Sequence, residues 1–310
     1  MKNNEFIIYS FYQFKKIINP SKLKDLLKEF CQFHKLKGTI LIAKEGINGT
    51  IGGLDSSIII FKEELLKLGF KSLETKLSTY PYMPFNRLKI RNKKEIITFV
   101  DKNLNVEKNT AKFIYPDKWN KFIDNNKVYL LDVRNDYESN IGTFLNANKS
   151  NTKNFKHFKD FVKNNLSNMK NKKIAMFCTG GIRCEKASSY MRKIGYKNLY
   201  QLKGGILKYL QTIPKEKSKW KGECFIFENR VSVKNEMKKG SYELCHGCRM
   251  PISKKSRLSS KFEYGVSCEY CSSSLTKNRK YNLRQRNKQI SIAKKRGLYS
   301  PYIRYTPSDY

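Results

Sequence analysis

Acidic residues and histidine are scarce in this 310-residue chain: 26 Asp and Glu stand against 63 Lys and Arg, and there are three His. Long apolar runs are missing as well. No window approaches about 18 uninterrupted apolar residues, so no membrane-spanning helix is predicted. Met1 to Ser10 lacks the cleavage pattern of a secretory leader, which predicts a soluble, cytoplasmic protein with no membrane partner. His34, His157 and His246 lie in separate regions, which argues against a two-His, one-carboxylate iron site, and no dinucleotide-binding fingerprint is present. Cysteines are too few for a disulfide scaffold. The eight, Cys31, Cys178, Cys184, Cys224, Cys245, Cys248, Cys268 and Cys271, crowd toward the C-terminal end, and in the cytosol such a cluster points to metal or catalysis.

What is present is enough apolar material, 39% hydrophobic with 13% aromatic residues, to build real cores in two or three domains. The formal charge of +37 makes a polyanion, nucleic acid above all, the first partner to expect. A chain rich in Lys, Asn, Ile, Tyr and Phe also reflects AT-rich coding, to which roughly half the excess is ascribed.

The first hundred residues alternate strand and helix patterns. Phe6 to Phe11 reads as a strand; Asn19-Pro20-Ser21 caps a helix with Leu23, Leu26, Leu27 and Phe30 at helical spacing. Gly38 to Ala43 and Ile47 to Gly52 are strands around the tight turn Lys44-Glu45-Gly46. Leu54 to Leu68 is a second helix and Leu73 to Leu77 a further strand. This β-α-β-β-α-β order predicts a ferredoxin-like α+β domain over 1–105. Next, Arg87, Lys89, Arg91 and Lys93 alternate with Leu88 and Ile90, so an extended strand presents four cations on one face. They are candidate phosphate contacts to RNA, with a merely solvated face as the alternative.

From Tyr115 to Ile213 apolar strands (Val128 to Val133, Lys173 to Phe177, Asn198 to Leu202) alternate with helices, the first capped by Asp117 and carrying Trp119, Phe122 and Ile123. This predicts an α/β domain over 106–218, a parallel sheet with helices on both faces. A small Cys-rich segment follows over 219–275. The tail over 276–310 belongs to a stretch after Cys271 with ten Lys or Arg against Asp309. It reads as a basic arm, helical in part and ordered on a partner.

The sharpest feature is Ala175-Met176-Phe177-Cys178-Thr179-Gly180-Gly181-Ile182-Arg183-Cys184: an apolar strand, a cysteine, two glycines, and an arginine opening a helix. Backbone N–H groups of Thr179, Gly180, Gly181 and Ile182 can curl toward one centre, and the helix start and Arg183 add positive charge. Cys178 is therefore expected to be ionised near neutrality and nucleophilic.

This segment resembles the active-site loop of rhodanese domains. Asp132-Val133-Arg134-Asn135-Asp136-Tyr137-Glu138 with Gly142, and Leu202-Lys203-Gly204-Gly205, resemble that domain's other signatures. The six-residue loop Cys178 to Arg183 matches a sulfur-sized pocket, whereas phosphatase relatives carry a loop one residue longer. Thr143-Phe144 departs from the usual His-Ile and is expected to touch packing alone. Together with Gly38 to Ile51, Arg87 to Arg91 and Lys94-Glu95-Ile96, and with Glu185-Lys186-Ala187 continuing the loop, these strings resemble the bacterial tRNA uridine hydroxylases. The resemblance covers roughly residues 5 to 272. It implies conversion of the wobble uridine of tRNA to 5-hydroxyuridine, with molecular oxygen as co-substrate, an unassigned electron donor, and Cys178 as the catalytic, persulfide-bearing residue with Arg183 stabilising its anion. The alternative enzyme is a rhodanese-type sulfurtransferase carrying a persulfide; a non-enzymatic RNA-binding module is the third class. Cys184 is read as packing, with a second redox thiol as the alternative.

Cys245-His246-Gly247-Cys248 and Cys268-Glu269-Tyr270-Cys271 have the spacing of a zinc ribbon. Structural zinc on Cys245, Cys248, Cys268 and Cys271 is the reading, redox pairs or free thiols the alternatives, and His246 is taken as a neighbour. Further cysteines common in the family between these pairs are replaced here by Lys254-Lys255-Ser256-Arg257.

Overall fold

Strand β1 (Phe6–Phe14) holds buried residues on both faces, which requires cover on both sides of its sheet. The computed structural model describes residues 5–101, 104–298, 300, 302 and 304–310. Helix α1 (Pro20–Phe33) starts with Pro20 in its first turn, and the Asn19 side chain accepts from Lys22 N–H. Strands β2 (Lys37–Ala43) and β3 (Gly46–Gly53) pair antiparallel across Lys44-Glu45, with Ala43 opposite Gly46. Gly46 has φ +150°, and a Cβ there would stand 2.1 Å from Gln13 O, so nothing larger fits the turn. Helix α2 (Asp55–Lys67) and strand β4 (Glu74–Tyr80) complete the unit. The sheet order β4-β1-β3-β2 is the expected ferredoxin-like arrangement, and β5 (Leu88–Asn92) joins its edge parallel to β2. Both helices pack on one face, where Leu27 and Phe61 meet Phe11, Ile40 and Ile51. The other face, with Ile8, Tyr12 and Phe14, is covered by the rest of the chain.

The second unit contains β6 (Lys112–Ile114), α3 (Pro116–Ile123), β7 (Val128–Asp132), α4 (Asp136–Ser139), β8 (Gly142–Phe144), β9 (Asn148–Lys149), α5 (Phe158–Asn165), β10 (Lys173–Phe177), α6 (Ile182–Lys193), β11 (Leu199–Leu202) and α7 (Gly205–Thr212). Strands β6-β11-β10-β7-β9 form a parallel sheet. Along β10, Ile174 and Met176 enter one core and Ala175 and Phe177 the other, which shows the two helical layers directly. Asp117 does not cap α3. Tyr115 holds the cap position and Pro116 the first turn, leaving Asp117 inside the helix with its charge near the positive end.

Strand β12 (Trp220–Gly222) pairs back onto β8, so the chain after α7 stays fastened to the second unit. Two short hairpins follow, β13 (Cys224–Phe225) with β14 (Ser232–Val233) and β15 (Glu243–Leu244) with β16 (Pro251–Ile252), then helix α8 (Lys277–Lys295). The tail is not an arm waiting for a partner. Tyr310 packs edge-on against Phe6 at 5.0 Å, and Tyr305 O accepts from Met83 N–H at 2.9 Å. The apolar end of the first sheet, Phe6 and Ile8 with Met83 and Phe85, supplies the surface that orders it.

Candidate active site

The loop grows from the C-terminal end of β10, where a parallel sheet opens its crevice. Gly181, with φ +104°, caps α6 and its N–H points at Cys178 Sγ at 3.1 Å. Cys178 is fully buried. Burial alone opposes a thiolate, but the Cys184 thiol, the Arg183 charge and the N–H groups of Cys184 and Gly181 outweigh it and hold the Cys178 thiol down to about 5. The Cys184 thiol is pushed well up by burial and by its hydrogen bond to Cys178.

Arg183 is fixed from behind. Its guanidinium donates to Glu138 Oε2 at 2.5 Å and Oε1 at 2.7 Å, and to Thr179 Oγ1 at 3.3 Å. Burial of Glu138 is outweighed by Arg183 and then Arg134, which keep its carboxyl below the usual range. Arg134 in turn pairs with Asp132 at 2.6 Å and donates to Glu138 O at 3.2 Å and Gly142 O at 2.5 Å. The Asp132 to Gly142 stretch thus builds a buried platform that orients Arg183. Thr143 contributes more than packing, since its Oγ1 donates to Asp132 Oδ2 at 2.9 Å, while Phe144 packs on Trp119 and Phe177. Gly205 explains the second glycine pair: a Cβ there would lie 2.5 Å from Cys178 O. Ile206 and Leu207 N–H groups bind Cys178 O and Thr179 O at 2.9 and 3.1 Å.

The first sheet closes the site from the opposite side. Register places Tyr12 opposite Asn48 and Glu74, and Ser10 opposite Thr50 and Lys76, so one pleat face carries all six toward the loop. Lys76 Nζ donates to Gly180 O at 2.8 Å, and Tyr12 OH to Glu185 Oε1 at 2.6 Å. Burial, partly offset by Glu74, lowers Lys76 to about 8. Burial raises Glu185 to about 7, with Tyr12 and Lys203 pulling down and Glu74 and Cys178 pushing up. Lys186, fully buried, bridges Glu45 at 2.8 Å and Glu95 at 2.9 Å. Three strings that are distant in sequence, around Glu45, Glu95 and Lys186, meet in this one node. Tyr12 and Lys76 carry no signal of their own in the sequence, Glu185 stands there only within the string that continues the loop, and nothing local brings the three together.

Arg87, Lys89, Arg91 and Lys93 lie apart from the loop contacts, on β5 and at its two ends, at the sheet edge opposite β4. Lys89 is lowered by burial and then by Arg87, Arg91 and Arg249, so the cations do share one crowded surface. The four cysteines Cys245, Cys248, Cys268 and Cys271 bring their Sγ atoms within 4.8 Å of one another. Sγ–Sγ separations of 3.8, 3.6 and 3.9 Å fit the edge of a tetrahedron with metal–sulfur arms of about 2.3 Å. This set of thiols can hold a metal ion such as zinc. His246 stands beside it, its Nδ1 2.9 Å from Arg286 Nη2. Among the described residues no helix is long and apolar enough to cross a membrane.

Two family models match the chain: the UPF0176 acylphosphatase like domain over residues 6–96 and the rhodanese-like domain over residues 115–212. The tRNA uridine(34) hydroxylase of Teredinibacter turnerae is 43% identical, with 95% of this chain and 92% of that protein covered. The Bartonella bacilliformis protein of that name is 43% identical over 96% and 98% of the two chains, and the Rhizobium leguminosarum one 44% over 94% and 95%. Among solved structures, a rhodanese-like domain protein from Staphylococcus aureus is 28% identical with a TM-score of 0.27, covering 32% of this chain and 91% of that one. Identity at this level over nearly the whole length places the chain in the tRNA uridine(34) hydroxylase family.

Proposed function

We propose that this protein is an oxidoreductase that hydroxylates the wobble uridine, position 34, of tRNA to 5-hydroxyuridine, with molecular oxygen as co-substrate and an external electron donor, and that Cys178 is its reacting group. The single observation that carries the site assignment is a fully buried thiol held down to about 5 by its own loop. At neutral pH it is a thiolate, which suits attack on an electron-poor pyrimidine or the carrying of a persulfide. Thr179, Gly180, Gly181 and Ile182 shape the loop, and Arg183, locked by Glu138, places a fixed positive charge beside the sulfur. The row Arg87, Lys89, Arg91 and Lys93 would hold the tRNA backbone, and Cys245, Cys248, Cys268 and Cys271 would hold a structural zinc.

The test is mass spectrometry of tRNA nucleosides from a deletion strain complemented with wild type or Cys178→Ser. Wild type should restore 5-hydroxyuridine and its derivatives, and the variant should not; full restoration by the variant removes Cys178 from the mechanism. The intact six-residue loop also suits a sulfurtransferase, and loss of thiolated nucleosides in place of hydroxylated ones would favour that reading.

A further inference from the structure

Between the first sheet, the Cys178 loop and the turn joining β13 to β14 lies a cavity of about 590 Å³. We infer that it is a pocket for one unstacked uracil nucleotide, with Phe227 as the stacking face and Asn154 and Lys76 as the groups that read the base edge. This deepens the proposed hydroxylation of a tRNA uridine and rests on it. A cavity of this size suits a small organic ligand, for which pockets span about 300–1,000 Å³, and enzymes that act on a base commonly draw it out of its stack. Here the loop contributes Thr179, Gly180, Ile182 and Arg183 to the wall, so a base inside would sit against the loop that encloses Cys178.

Three observations suit a uracil base. First, Asn154 lines the wall, and its Oδ1 is buried with no hydrogen-bond partner among the described residues. Buried acceptors are nearly always paired, and the N3–H of uracil is a donor of the right kind; cytosine has a bare acceptor at that atom. Second, an ammonium has three N–H donors, and Lys76 spends one on Gly180 O while lining the cavity. Glu74 Oε1 stands 3.8 Å from the same ammonium, and the donor left over suits a ring carbonyl, of which uracil has two. Third, Phe227 is 65% exposed yet lines the same cavity, its ring edge-on to Phe225 at 5.1 Å.

The turn that presents Phe227 is held with effort. Val231 stands at φ +67°, a region that β-branched residues avoid. The buried Glu228–Arg230 ion pair and the 3.0 Å bond from Arg230 Nη2 to Ser78 Oγ tie the turn to β4. Strain of this kind is retained where the surroundings enforce it, characteristically at binding sites, and an aromatic face open to solvent is what base stacking uses.

The experiment measures binding of the full-length protein to anticodon stem–loop RNAs carrying U, C or an abasic residue at position 34, by fluorescence anisotropy. Wild type should prefer the U loop over the C loop, and either base over the abasic loop, by about tenfold or more. Asn154→Ala should bring the U-to-C ratio close to one. Phe227→Ala should weaken both base-bearing loops about tenfold and leave the abasic loop unchanged, and Phe227→Tyr should restore binding. Wild-type binding indifferent to the residue at 34, or variants that retain full affinity and discrimination, would overturn the pocket. The hydroxylation reading is judged separately, by 5-hydroxyuridine in cells carrying wild type: present without base-dependent binding, the pocket alone fails; absent, the reading beneath it fails.

Discussion

Cys178 and Glu185 stand on either side of the start of α6 and are pushed to opposite sides of their ordinary values. The Cys178 thiol falls from 9.0 to about 5, because hydrogen bonds and the Arg183 charge outweigh burial. Glu185 rises from 4.5 to about 7, because burial outweighs the Tyr12 hydroxyl and Lys203, with Glu74 and the Cys178 thiolate adding to the rise. The signs of their linkage to stability are opposite. Between about pH 5 and 9 the unfolded thiol binds more protons than the folded one, so Cys178 adds stability as pH rises and loses it as pH falls through about 5. Between 4.5 and about 7 the folded Glu185 binds more protons than the unfolded, so it removes stability as pH rises. Thermal unfolding of wild type, Cys178→Ser and Glu185→Gln from about pH 5 to 8 tests this. The Gln variant should gain on wild type as pH climbs to about 7, and the Ser variant should fall behind; parallel curves for all three would contradict the electrostatics. The ionised thiol was legible in the sequence from its glycines and arginine. Glu185 was not, since its shift comes from burial beneath Tyr12 and Glu74, which reach it from two other strands.

Elements were legible where period and turn chemistry agreed. The hairpin across Lys44-Glu45 and the strand ending at Phe177 follow from glycine placement and apolar continuity, and both stand as expected. Asp117 misled because proline at the first helical position moves the cap back to Tyr115. Strand β5 shows how far a local pattern reaches. Period two places Arg87, Lys89 and Arg91 together, and the structure adds Arg249 from the Cys-rich segment to the same field. If this row holds RNA, each lost phosphate contact lowers the salt slope by about 0.7–0.9. Arg87→Ala with Arg91→Ala should therefore weaken tRNA binding and flatten the log–log salt dependence by about 1.4–1.8, without altering the reaction of Cys178 with iodoacetamide. Unchanged binding across salt would return the row to a solvated strand edge.

At the scale of the whole molecule, the sequence foretells separate parts and the structure interlocks them, because contacts such as Lys76 to Gly180 and Lys186 to Glu45 leave no local periodicity to read. The cluster of Cys245, Cys248, Cys268 and Cys271 is one such fastening. Hairpin β15–β16 has two residues per strand, too little to bury a core, so four ligated thiolates would carry its stability. Around it, Arg284 pairs with Glu263 at 2.6 Å and Arg286 contacts His246, tying the basic helix α8 to the same knot. Lys89 feels Arg249 from this segment, so one charge beside the β5 row is carried by the Cys-rich segment. One zinc per chain is expected by elemental analysis. Its removal with a strong chelator should open the segment between Glu243 and Leu275 to limited proteolysis and weaken tRNA binding, while the alkylation rate of Cys178 stays near that of untreated protein. Protein free of metal as purified, or chelator treatment that leaves proteolysis and tRNA binding unchanged, would show that the thiols close the knot without an ion. Loss of Cys178 reactivity in step with tRNA binding would instead mean that the knot supports the loop, through the turn that carries Arg230 onto β4.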